Sequence, residues 1–320
     1  MTGTPSPAAR PSSGAVRAFA VSVANRHGGG VVNFVFLAVL VWVFLLVVLP
    51  QAAMLDYSFR FNLPPPEVGG PKDVYTLSNY SYVLFGSGGD GINSFDLSVL
   101  GRTLLASVFV TVLDILICYP IAYVLAHGAR GTAARLMVLG LVVPFWVNEI
   151  LRAFAFRIIF GSTGVLNNVG MNMGLWSQPI DFIGADIALY SGLVYAYILL
   201  MIFPIYNAVE ALDRNQIEAA RDMGASWWRV HWRVVLPMAK PGIASGATMV
   251  FMLTAGALAA PQILGGPSNL WFTQLISQWF NDGGNWPRGS AYAVVLLVVC
   301  LAFVLFLMRA FKVSIGEIGR

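Results

Sequence analysis

Charge is scarce in this sequence. Asp, Glu, Lys and Arg make up 11% of the 320 residues, while 58% are hydrophobic. Water-soluble domains carry roughly 25% charged residues, so there is too little charge here to cover a water-facing surface, and the composition points to an integral membrane protein. Cysteine is nearly absent. Cys118 and Cys300 each lie inside an apolar run, which excludes a disulfide framework and a thiolate metal site. The histidines, His27, His127 and His231, are scattered without ligand spacing. Lysine occurs at positions 72, 240 and 312, never after a glycine, so the chain has no Gly-Lys phosphate loop. No metalloprotease, serine-hydrolase or clustered-carboxylate pattern occurs in the polar segments. These absences argue against an enzyme, a cofactor or a metal. The formal charge of +4 does not call for nucleic acid, because basic residues gather at cytoplasmic helix ends in membrane proteins.

What is present is a series of long apolar runs. Val31–Leu49 is interrupted only by Asn33 and spans about 28 Å as a helix, enough to cross the hydrocarbon core. Val99–Ala126, Leu136–Phe160, Ile187–Val209, Ile243–Leu264 and Ala291–Met308 follow, the last extendable to Phe311. The first run is longer than a signal-peptide core and follows some thirty polar residues, so it reads as a retained anchor. With both termini cytoplasmic, inside segments hold 13 of the 19 Lys and Arg residues, which fits six spans. The expected organisation is a disordered cytoplasmic tail 1–30, a transmembrane domain 31–312 with an outside loop 56–98 and a cytoplasmic loop 211–238, and a tail 313–320. Asn79-Tyr80-Ser81 matches a glycosylation sequon by chance spacing.

Within the spans, Asp114, Glu149 and Arg152 stand out. A charge at the bilayer centre costs roughly 2.5–3.5 kcal/mol on insertion scales, so such groups face a bundle interior or an aqueous path. Asp114 has no helical charge partner. Glu149 and Arg152, three apart on a helix, either neutralise each other or face the path. The aromatic rings of Trp146 and Tyr119 would add cation–π contacts to a cationic solute. In the fifth span, Gly242 and Gly246 favour close helix packing.

The cytoplasmic loop carries the most information. "EAARDMGASWWRVHWRVVLPMAKPGI", residues 218–243, holds 3 of the 9 tryptophans between greasy segments. Asp213 with Gln216 three residues on predicts a capped helix from Arg214 to a break at Gly224, where a left-handed backbone is expected. Ser226 then caps a second short helix, Trp227–Val235, before Pro237 and Pro241 redirect the chain. A plain interfacial helix would explain the tryptophans and arginines. The small residues at the bend suit close approach by another protein instead.

Glu218-Ala219-Ala220, three residues, Gly224, nine residues, then Val234-Val235-Leu236-Pro237 resembles the EAA loop of ABC-importer permeases, with Val234 in place of Ile. "TLSNYSYVLF", "YPIAYVLA", "VPFWVNEILRAFAFRIIFG" and "LVYAYILLMIFPIYNAVEALD" are similar to the spermidine/putrescine type of these permeases. The likeness covers about residues 35–310. It implies an all-α membrane protein with the six-helix type I importer fold in the inner membrane of a bacterium. It implies as partners a second permease subunit, two ATP-binding cassette subunits and an extracytoplasmic solute-binding protein. The ATPase would dock on Glu218, Ala219, Ala220, Gly224, Leu236 and Pro237, and Asp114, Trp146 and Glu149 would lie on the translocation path. A polyamine or related cationic amine is the expected small-molecule substrate. An opine, a phosphonate or another small solute is the alternative, because Gln262 stands where polyamine permeases often carry an acid. A secondary transporter remains a reading from another class, although no internal repeat supports it.

Overall fold

The computed structural model describes residues 29–87, 91–128, 131–266 and 269–312. The expected tails, apart from residues 29 and 30, lie outside them. Among the described residues the backbone is helical, with one isolated antiparallel bridge between Arg60 and Tyr75. The described residues fall into two compact units that divide between Tyr57 and Ser58.

In chain order the helices begin with α1 (Asn33–Ser58), α2 (Ser78–Phe85), α3 (Ser94–Gly128) and α4 (Thr132–Phe145). Next come α5 (Glu149–Phe160), α6 (Val165–Asn172), α7 (Ile187–Glu210) and α8 (Arg214–Asp222). The last four are α9 (Trp227–Ala255), α10 (Ala259–Leu264), α11 (Phe272–Asn281) and α12 (Trp286–Phe311). Helices α1, α3, α7, α9 and α12 are each long and apolar enough to cross a membrane. Among the described residues, a sixth crossing exists only if the bent pair 136–145 and 149–172 counts as one span.

That pair corrects the expected straight span Leu136–Phe160. Its two helices meet at 95°. Pro144 cannot donate to the helix ladder, and the Asn148 carboxamide accepts the Ile150 N–H at 2.9 Å and starts a new helix. The expected fifth span, Ile243–Leu264, is also redrawn. Helix α9 starts at Trp227 and ends at Ala255, capped by Gly256, and Ala259–Leu264 forms the separate α10. Helix α3 begins at Ser94, where the Asn93 side chain accepts the Asp96 N–H, so the segment between α1 and α3 is 59–93 and not 56–98. At 35 residues α3 is about 52 Å long, well beyond a hydrocarbon core of about 30 Å.

Within residues 58–320, α7 is the hub. It packs against α3, α5 and α9, burying Leu189, Leu193, Met201, Ile202, Ile205 and Val209. Lipid is as apolar as leucine, so such helices are held by van der Waals packing and close approach more than by water exclusion. Gly242 and Gly246 provide that approach. A Cβ at Gly246 would sit 2.7 Å from the Met201 sulfur, and one at Gly242 would overlap the Pro204 carbonyl oxygen. A second cluster, around Val83, Phe251, Phe272 and Tyr292, ties α2, α9, α11 and α12 together. Asn79 is buried, and its amide donates to the carbonyls of Ser58 (3.0 Å) and Arg60 (2.8 Å), an anchoring role that agrees with a chance sequon.

Candidate functional site

The loop between α7 and α9 is built as a helix, a bend and a second helix. Asp213 caps α8 by accepting the Asn215 N–H at 3.0 Å. The Gln216 N–H goes to the Asp213 backbone carbonyl, so the cap forms without the expected Gln216 box. Helix α8 is amphipathic. Ile217 is buried in the main core and Ala220 packs half-buried beside it, while Glu218, Ala219, Arg221 and Asp222 face outward.

The helix ends in a full Schellman arrangement. The Gly224 N–H reaches the Arg221 carbonyl at 2.8 Å and the Ala225 N–H reaches the Ala220 carbonyl at 3.0 Å. Gly224 has φ +77° and is exposed, with no atom within 4 Å of where a Cβ would stand. This is the left-handed bend expected from the sequence. On either side of it Met223, Trp227, Trp228 and Trp232 present an uncovered apolar rim.

The second loop helix departs from expectation. Ser226 occupies the cap position without a side-chain cap bond. The chain continues from Trp227 through a π turn, 231–235, into α9 as one rod. Leu236 donates back to the His231 carbonyl, and this wider turn accommodates the missing donor of Pro237. Pro237 and Pro241 therefore sit inside the helix and do not redirect it. Leu236 is half-buried and Pro237 is exposed.

The residues assigned to the path are not brought together. Asp114 is sealed on α3, fully buried, with neither carboxylate oxygen hydrogen-bonded. It extends a buried polar stripe, Thr103, Ser107 and Thr111, whose hydroxyls each return to a carbonyl one turn back at 2.7–2.9 Å. Trp146 and Glu149 lie at the α4–α5 break, both exposed, Trp146 at 84%. Glu149 opens α5, where the helix N-terminus favours a carboxylate. It does not pair with Arg152, whose guanidinium reaches the Ala196 carbonyl at 3.4 Å and lies 5.5 Å from the Phe145 ring centroid. Tyr119, expected near the cationic solute, instead bonds His231 below the loop, with Oη to Nδ1 at 2.9 Å.

That last contact is one sequence reasoning missed. Trp227 and His231, like Tyr119 and Tyr123, are four residues apart and share a helix face. The His231 ring lies 4.0 Å from Trp227 and 4.5 Å from Tyr123, centroid to centroid. The two spacings were visible, but their convergence was not, because α3 and α9 are separated by a hundred residues of chain.

The fold and this loop define a class, the multi-pass helical permease. The family described as "binding-protein-dependent transport system inner membrane component" matches residues 128–312. The spermidine/putrescine transport system permease protein PotB of Haemophilus influenzae is 31% identical over 271 residues, 85% of this chain and 91% of its own. PotB of Escherichia coli is 30% identical over 269 residues, 84% and 94% of the two chains. Among solved structures, a bacterial alginate ABC transporter in complex with an alginate-pentasaccharide-bound periplasmic protein aligns over 92% of this chain and 99% of its own. Its TM-score is 0.67 at 18% identity, a likeness of fold. The chain belongs to the binding-protein-dependent transport system inner membrane components, the permease subunits of ABC importers. It is a multi-pass, non-catalytic transport subunit of the inner membrane, with ATP hydrolysis on a separate chain.

Proposed function

We propose that this subunit forms half of the path by which an ATP-driven importer moves a polyamine or related cationic amine, and that residues 211–238 are its coupling loop. The exposed, left-handed Gly224 beside outward-facing Glu218 and Ala219 carries the coupling role, since it leaves a low surface onto which another protein can close. Ala220 and Leu236 set the loop against the core, and Pro237 completes the docking surface. The partners are a second permease subunit, two ATP-binding cassette subunits and an extracytoplasmic binding protein. Both termini are cytoplasmic, in keeping with the 13 of 19 basic residues on that side. The spermidine/putrescine names of the PotB relatives support the substrate class. Trp146 and Glu149, uncovered at the α4–α5 break, supply an aromatic face and a carboxylate for an ammonium group. Asp114 joins the path when the helices around it rearrange.

The test is reconstitution of the chain with its partner permease, ATPase and binding protein in liposomes. Uptake of labelled putrescine or spermidine that needs internal ATP is expected, with an opine and a phosphonate as competitors. ATP-dependent uptake of either competitor with none of the polyamines would overturn the substrate reading.

A further inference from the structure

Beyond α7, which leads into the loop, two helices could carry movement of the loop into the membrane. One is α9, covalently continuous with the loop. That route passes through the π turn 231–235 and then Pro237, which has no N–H to donate, so the rod's hydrogen-bond ladder is weakened where it leaves the loop. The other is α3, which meets the loop from the side. Its facing end is interrupted in the same way, by Pro120 and a π turn at 124–128. The two weak points are bridged. His231, the first residue of the α9 π turn and 6% exposed, is held by Tyr119 Oη at 2.9 Å and enclosed by the rings of Tyr123 and Trp227. Its Nε2 is buried with no partner, so Nδ1 makes the ring's directional bond. Two turns of α3 on from Tyr119, the Arg214 guanidinium at the start of α8 donates to the Ala126 carbonyl at 3.3 Å, a second link from loop to α3.

We infer that Tyr119 and His231 are positioning residues that pass displacement of the coupling loop into α3, the helix that carries Asp114. The inference rests on the coupling reading of 211–238. A rod with a soft joint bends when pushed, and a hydrogen bond across that joint makes the neighbouring helix follow. Without the bond the loop still docks and the ATPase still turns over, but α3 no longer moves with it.

The experiment uses the assembled transporter in liposomes with internal ATP and labelled putrescine, reading solute moved per ATP hydrolysed and ATPase co-purification. Tyr119→Phe and His231→Ala are expected to retain the ATPase and its basal hydrolysis while solute per ATP falls roughly three- to tenfold, the factor associated with one hydrogen bond. His231→Asn, whose amide stands where Nδ1 does, should restore the ratio, and His231→Gln, which reaches the Nε2 position, should not. The double variant Tyr119→Phe with His231→Ala should be no worse than either single one, because both break one bond. An unchanged ratio in both single variants overturns the joint, and so does a lower yield of complex whose surviving fraction couples normally. Gly224→Val, run in parallel, separates the two levels. If it uncouples while the joint variants do not, only the joint fails; if all three couple normally, the coupling-loop reading fails with it.

Discussion

Glycine does opposite work in two regions of this chain. In α9, Gly242 and Gly246 are buried against α7, and a side chain at either would strike Pro204 or Met201. In the loop, Gly224 is exposed, has nothing within 4 Å of where a Cβ would stand, and is held at φ +77°. The first pair makes room for a neighbour already in the subunit. The second makes a bend and leaves a bare surface for one outside it. The same residue type therefore serves helix packing in one place and, on the coupling reading proposed for 211–238, docking in the other, and substitutions should separate the two.

The largest effect is expected in α9. Gly242→Val must displace a backbone carbonyl, which has no flexible end to give way, so its cost lies at or beyond the upper end of about 1–3 kcal/mol for overpacking. Little folded permease should be recovered, as measured by size-exclusion yield of the detergent-solubilised chain. Recovery at the wild-type level would show that α7 and α9 are not locked as described.

Gly224→Val comes next, and its signature is different. The strain of a β-branched residue at positive φ is on the order of 1–3 kcal/mol, but it falls on an exposed loop. Expression and membrane insertion should survive while ATP-driven uptake is abolished. Gly224→Asn sharpens the contrast, since asparagine tolerates the left-handed region. Uptake retained in Gly224→Asn would assign the glycine to backbone conformation, and uptake lost would assign it to the bare surface.

Smaller effects are expected from Glu218→Ala, which removes one outward-facing charge and should weaken ATPase co-purification without ending transport. If binding is unchanged across salt concentrations, Glu218 is not part of the contact. For the path, Glu149→Gln should raise the putrescine concentration needed for half-maximal uptake by up to about fivefold, given the roughly 0–1 kcal/mol contributed by an exposed ion pair. Asp114→Asn, an isosteric change at a sealed site, should affect rate more than apparent affinity. Unchanged kinetics in both variants would leave Asp114 as a packing residue and Glu149 as a charge at a helix start. The smallest perturbation is topological. A cysteine at Ala225 should resist an impermeant thiol reagent added from outside, and labelling there would invert the orientation.

Much of this molecule could be read in one dimension because its determinants are local. Hydrophobic runs long enough for a bilayer mark the helices, since lipid leaves the backbone no other partners. The bend at Gly224 follows from a residue that alone enters the left-handed region freely. The EAA pattern around it was enough to name the family. Tertiary structure decided what depends on contacts between distant segments or on competition between local signals. Leu136–Phe160 looked continuous, yet Pro144 and the Asn148 cap outweighed its hydropathy and turned it by 95°. Pro237 looked like a stop, yet a π turn absorbed it and carried the loop into α9 as one rod. Glu149 and Arg152 had the spacing of a pair, but Arg152 found the Ala196 carbonyl and the Phe145 ring in the packed bundle. His231 had no partner in sequence at all. Only the crossing of α3 and α9 put it within 2.9 Å of Tyr119, because helix packing joins residues by face and height, which sequence separation does not encode.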